Sequence, residues 1–419
     1  MKKYLILSAA VMLSTMTLTS CSDDDDNNGN EIVESQYKDR SYGNEAIDAC
    51  ASVVTALTNA NSVIATSNLT ADQEAYLRNV LSGVVSNVII PTYTHLADDV
   101  EDLEKTLKGL TVQTITQSQI DKACADFKQA RLNWEQSEAF LMGAASDFDI
   151  DPTIDSWPLN RSLLLSYFRD GMNDEMLEDA TILGFHALEF ILFRNGQNRK
   201  VAELQGNDTY TNFTRITGAQ ELAYAQTICT LLKQRCYQLQ VAWEGETAAN
   251  AARVAVVKAA GLGYTTEAGL SYSENLLGAG INSKSTFTSL KAAIAQVLSD
   301  DEGSCVGIAN EVGTAKIANP FAAGDIAYVE SPYSYNSIAD FQDNLRSVRN
   351  VWYGSTNGTA ASPSFAKFFE AVNTLVTVEP AVLTAIDRIG NMPAPFVKYC
   401  SVVWGKNFDD PDNWDSTSE

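Results

Sequence analysis

A single apolar run carries the strongest constraint in this chain: Thr181-Ile182-Leu183-Gly184-Phe185-His186-Ala187-Leu188-Glu189-Phe190-Ile191-Leu192-Phe193. It is hydrophobic almost all the way round, so as a helix it belongs inside a protein core. Yet it holds one of the two histidines in the sequence, with a carboxylate three residues later. At i and i+3, His186 and Glu189 project from the same side of a helix. An ionised carboxylate buried without a partner is costly, so Glu189 must meet a cation, a metal or hydrogen-bond donors. Gly184 is costly in a helix interior relative to alanine and implies close approach by another backbone or a ligand. Two readings stay open at this point: a His–Glu pair that braces two helices, or part of a metal or ligand site.

Further candidates lie upstream. Glu135 and Glu138 repeat the i, i+3 spacing between Trp134 and Phe140, and Asp155 precedes the Trp157-Pro158 turn. Helical bundles build metal sites from Glu and His side chains pointing inward from facing helices. The expected ligands are therefore His186, Glu189, Glu138 and Asp155. One imidazole with several carboxylates suits iron, manganese or calcium better than a sulfur-rich or histidine-rich zinc site. His95 has no acidic partner in helical register before Asp99 and reads as an ordinary surface or core histidine.

The Gly184-x-His186-x-x-Glu189 motif and four further blocks in the matching order carry a family resemblance: the Glu138-Ala139-Phe140 helix and the Asp155-Ser156-Trp157-Pro158 turn upstream, Ser334–Ser337 and Asn350-Val351-Trp352-Tyr353-Gly354 downstream. Together they resemble the imelysin family, also called peptidase M75, which includes iron-regulated envelope proteins. The resemblance covers nearly everything after about residue 40. It implies two related helical bundles, a site at the Gly-x-His-x-x-Glu motif, a role in iron uptake with a possible envelope transport partner, and Gly184, Trp157, Trp352 and Tyr353 as pocket residues. The peptidase label implies an alternative, a metal-dependent peptidase using His186 and Glu189. The sequence holds no His-Glu-x-x-His and no Gly-x-Ser-x-Gly, so hydrolysis has no recognisable catalytic motif behind it. A structural surface lipoprotein is the third reading.

Residues 1–20 read as a lipoprotein signal peptide: Lys2 and Lys3, an apolar stretch too short to span a bilayer permanently, then Leu18-Thr19-Ser20-Cys21. Acylation of Cys21 would tether the protein to a membrane. Residues 21–40 carry four consecutive aspartates, Asp23 to Asp26, and read as a disordered tether, similar to sequences that send lipoproteins to the outer face of the outer membrane. Without residues 1–20 the formal charge moves from −24 to about −26, which argues against nucleic acid and favours cations as partners. The six cysteines beyond Cys21 form no Cys-x-x-Cys pair.

The periodicity predicts an all-α chain. Helices are expected over about 44–60, 71–107 with a break at Pro91, 117–144 and 174–193, then over 218–243, 285–299, 337–353 and 362–389. A polar run at 195–211 suggests a first bundle over 41–205 and a second over 206–406, with an acidic tail at 407–419.

Overall fold

In the computed structural model the described residues are 34–171, 177–208, 216–300 and 303–407. Cys21, the aspartate run and the acidic tail beyond residue 407 lie outside them. From Tyr37 onward the described chain forms one compact unit. The frame is α1 (Ser41–Thr66), α2 (Ala71–Leu107), α3 (Gln117–Glu135), α4 (Asp151–Asp155), α5 (Gly184–Leu192), α6 (Gly218–Glu244), α7 (Leu290–Ser299), α8 (Cys305–Glu311), α9 (Ser337–Tyr353) and α10 (Val378–Gly390). The one sheet among the described residues is a two-residue antiparallel hairpin, β1 (Phe193–Arg194) with β2 (Gln197–Asn198).

The chain is all-α as expected, but the helices sort differently from their order in sequence. Helix α2 packs on α3 and α6, and α5 on α3 and α6, giving one bundle. Helix α1 packs with α7, α8 and α10, and α9 packs on α8 and α10, giving the other. The proposed cut between residues 205 and 206 is therefore corrected. N-terminal α1 belongs with the C-terminal helices, α6 belongs with the earlier ones, and the buried apolar residues form one contiguous cluster. The described part of the polar run, residues 195–208, lies against α6. It is pinned by Arg199, whose guanidinium donates to both Glu221 oxygens at 2.8 Å.

Local chemistry sets the helix ends. Thr70 and Gln73 form the capping box expected at the start of α2, each side chain bonding the other's backbone N–H. Pro91 does not break this helix. A π-helical turn, Val85–Ile89, precedes it and moves the Ile90 N–H onto the Val85 carbonyl, so the ladder opens where the ring would otherwise clash. Helix α3 stops at Glu135, not near residue 144. The Ser137 hydroxyl donates to the Trp134 carbonyl at 2.7 Å, and Glu138–Phe140 continues as a 3-10 turn. That change takes Glu138 out of register with Glu135. Helix α5 also starts later than expected, at Gly184.

Candidate functional site: a buried ionic cluster between the bundles

Gly184 opens α5 with φ +71° rather than sitting in its interior. A β-carbon there would lie 2.0 Å from the Ile154 carbonyl oxygen. The glycine thus allows α4 to lie directly against the start of α5. This places Asp155, the last residue of α4, beside His186 in the first turn of α5. The His186 Nε2 atom lies 3.1 Å from Asp155 Oδ1 and 4.0 Å from Glu330 Oε1.

Glu189 does something other than expected. Its Oε1 accepts from the Tyr333 N–H at 3.0 Å, the Ser334 N–H at 2.7 Å and the Ser334 hydroxyl at 2.7 Å. Its Oε2 lies 3.2 Å from His186 Nδ1. With Oε1 filled by three donors and Oε2 on the imidazole, Glu189 orients His186 and anchors the 330–334 loop. It is not placed as a metal ligand. With Nδ1–H held on Glu189, Nε2 is the nitrogen that loses its proton when the imidazole is neutral, and its lone pair then faces Asp155 and Glu330. Nε2 is buried and has no well-directed hydrogen bond. Metal-binding histidines are oriented in this way by an outer carboxylate.

Arg131 occupies the centre. Its guanidinium pairs with Glu135 at 2.6 Å, with Asp155 and Glu330 in close contacts, and lies 3.6 Å from Asp340. Trp134 Nε1 donates to the second Asp155 oxygen at 2.7 Å. Lys316, also buried, reaches Glu330 at 3.0 Å and lies 4.8 Å above the Trp157 ring. Glu135 also accepts from Asn344 at 2.5 Å, and Asp340 from the Ser331 hydroxyl at 2.5 Å. Helix α3 of one bundle and α9 of the other are thus joined through charge.

The balance of that charge is negative. Five buried carboxylates, Glu135, Asp155, Glu189, Glu330 and Asp340, face two permanent cations, Arg131 and Lys316. Desolvation penalises the excess. Burial pushes the Glu135 carboxyl well above its usual range despite Arg131, and Asp340 rises to about 6 for the same reason. Asp155 goes the other way: burial would raise it, but Arg131 and His186 outweigh that and hold it well below the usual carboxylate range. Burial and Arg131 push His186 down, while Asp155 and Glu189 outweigh both and bring it up to about 9. The cluster attracts positive charge, whether proton or metal ion.

Three carboxylate or imidazole groups can converge on one ion here: Asp155, His186 and Glu330 offer one ligand atom each within 4.8 Å of one another. Of the four expected ligands, Asp155 and His186 meet in this set, and Glu189 is displaced to support. Glu138 joins a separate set with Glu135 and Asp155. Trp157 lies at the site. Trp352 and Tyr353 do not: Trp352 is buried and stacks on Phe365 and Phe369, with centroids 5.9 and 5.5 Å away. They brace the second bundle rather than line a pocket. His95 is exposed. Sequence reasoning missed Arg131, Lys316, Glu330 and Asp340. The signal for Arg131 was present, since it stands at i−4 from Glu135 on a helix whose inner face is otherwise apolar.

Residues 89–396 match the imelysin (peptidase M75) family. The chain belongs to this family. It is 23% identical over 325 residues to iron-regulated protein A of Synechococcus elongatus, spanning 77% of this chain and 78% of that one. Among solved structures, an imelysin fold is shared with a protein from Parabacteroides distasonis described as an iron-regulated protein A precursor. That match has a TM-score of 0.60 at 22% identity, over 81% of this chain and 96% of that one. An imelysin-like protein from Psychrobacter arcticum aligns with a TM-score of 0.44 at 13% identity over 81% of this chain and 98% of that one. The imelysin motif Gly184-x-His186-x-x-Glu189 reads, in this chain, as close-packing glycine, candidate ligand and support.

Proposed function

We propose that this protein is a cell-envelope lipoprotein that captures a metal ion, iron foremost, with Asp155, His186 and Glu330 as its ligands. One observation carries the reading: a buried imidazole nitrogen, Nε2 of His186, has its opposite nitrogen fixed by Glu189 and faces two carboxylates with no well-directed hydrogen bond of its own. A divalent ion at this point with neutral imidazole would offset most of the surplus negative charge. The donor set of one nitrogen and two carboxylate oxygens suits iron or manganese. The names of the two iron-regulated relatives support iron as the cargo.

The test is iron(II) or manganese(II) titration of protein purified without an affinity tag. His186→Ala and Glu330→Gln are each expected to weaken binding by more than the roughly 10–100-fold typical of losing a supporting residue. Unchanged affinity in both variants would reject the site. Metal-dependent hydrolysis is the second reading, favoured by Glu138, a carboxylate that shares a potential ligand set with Asp155. Capture is preferred because the sequence carries no recognisable hydrolase motif around these residues. Cleavage of unfolded polypeptide that vanishes in His186→Ala would reverse that preference.

Attachment through lipid on Cys21 to the outer membrane completes the proposal, motivated by the Leu18-Thr19-Ser20-Cys21 run and the aspartates after it. Cys21→Ala is expected to move the protein from the membrane to the soluble fraction. Continued membrane association of that variant would remove the lipid anchor.

A further inference from the structure

On the outer side of the cluster lies a cleft of about 1440 Å³, far larger than a bare ion needs. Eight carboxylates line it, and no lysine, arginine or histidine does so among the described residues. They are graded by depth. Asp147, Asp149 and Glu267 are exposed at the mouth, Asp151 and Glu311 are half-buried, and Glu138 is buried at the floor. Aromatic faces alternate with them: Phe148, Tyr272 and Trp243 on one stretch of wall, Trp157 beside the floor.

Glu138 is the telling residue. It is 5% exposed and lines the cleft, yet it makes no hydrogen bond or ion pair with the described residues. All its buried carboxylate neighbours of the ionic cluster have a partner. A carboxylate that is buried and unpaired destabilises the empty protein. Burial holds its carboxyl well above the ordinary range, with Lys316 opposing and Asp151 and Glu311 reinforcing the rise. The fold tolerates this group at the end of a cleft whose charged lining, among the described residues, is entirely carboxylate. The cleft thus lacks the partner that Glu138 requires, and a ligand can supply it.

We propose that the cleft binds a linear organic cation bearing several protonated amines, its leading ammonium on Glu138 and later ones against Asp151, Glu311 and the rim carboxylates. An ammonium group has three donors and needs only one free carboxylate as its primary acceptor. A bare metal ion at Glu138 would need Glu135 beside Asp155 as co-ligand, and both Glu135 oxygens are already taken, one by Arg131 and the other by Asn344. Aromatic faces favour alkylammonium groups further, through cation–π attraction. The same chemistry is offered by a free oligoamine or by successive lysine side chains of a peptide. The cleft adjoins the metal site proposed at His186, with Asp155 on its wall, but its leading contact, Glu138, is not one of that site's ligands.

Calorimetric titration of the full-length protein with spermine and with trilysine tests it, beside manganese(II) alone. Spermine or trilysine is expected to bind, and whichever binds more tightly identifies the source. Glu138→Gln is expected to weaken that binding about tenfold, the loss of one charge-assisted contact, while raising the thermal unfolding midpoint of the empty protein. Asp151→Asn should weaken binding in the same direction, and it guards against a local repacking at position 138. His186→Ala should leave amine binding unchanged, so failure of the metal site and failure of this one are read separately. The inference is overturned if neither amine binds, if both bind Glu138→Gln and Asp151→Asn as well as the wild type, or if the Glu138-dependent signal comes from manganese alone.

Discussion

Replacing Arg131 with methionine is expected to destabilise the metal-free protein by at least about 3–5 kcal/mol near neutral pH, the usual cost of removing one partner from a buried ion pair. The guanidinium is 1% exposed and touches Glu135, Asp155, Glu330 and Asp340 together. Methionine fills much of the volume, so the loss measures charge more than packing. Without Arg131 the four carboxylates keep only Lys316 and His186 as nearby cations. The carboxyls of Glu135 and Asp340, already raised by burial, then rise further, and Asp155 loses the main charge that holds it down. A carboxyl raised in this way costs no stability at a pH below its unfolded value, and its burial becomes increasingly unfavourable as pH climbs through the folded value. The deficit of Arg131→Met should therefore be smallest at about pH 4–5 and grow toward about pH 8. Added manganese(II) should restore part of it, because an ion can take the vacated place. Chemical denaturation at several pH values measures the effect. A variant as stable as wild type at neutral pH, or a deficit that does not change with pH, would refute the account of Arg131 as the internal counter-cation.

The helices were legible in the sequence because most are amphipathic and carry their own start signals, such as Thr70 with Gln73. Their grouping was not. Chain order suggested two consecutive bundles, but nothing in the periodicity of α1 says that its partners are α8 and α10, more than two hundred residues away. Pro91 illustrates a second limit: proline predicts a break, and a single π turn absorbs it. At the site, His186 and Asp155 were found because a histidine in an apolar run and a carboxylate before a tight turn are unusual locally. Lys316 comes from a π-helical run, Val312–Ala323, and Glu330 from the irregular stretch after it. No periodic pattern marks either, and only the packing of α5 against 330–334 brings Glu330, with Lys316 paired to it, to the histidine. Glu189 was recognised as needing a partner, but whether that partner is a metal or a backbone depends on where residues 330–334 run.

Glu189 yields the sharpest separation between support and ligation. Glu189→Ala is expected to cost several kcal/mol, since two buried backbone N–H groups and the Ser334 hydroxyl lose their acceptor at about 1–3 kcal/mol each. Both the loop and the histidine would be released, so that variant alone cannot distinguish the roles. Glu189→Gln can. The amide oxygen still accepts from Tyr333 and Ser334, and the loop stays in place at a smaller cost. Its NH2 group, however, now faces His186 Nδ1, which must accept rather than donate. The imidazole proton moves to Nε2 and blocks the lone pair directed at Asp155 and Glu330. Glu189→Gln should therefore keep most of its stability and lose about 10–100-fold in metal affinity, the range seen when the support of a metal-binding histidine is altered. Parallel unfolding and metal titrations decide the matter. If affinity holds while stability falls as far as in Glu189→Ala, the residue is a structural latch and the tautomer argument fails. If the two losses separate as stated, the motif's glutamate governs the metal through the histidine it orients.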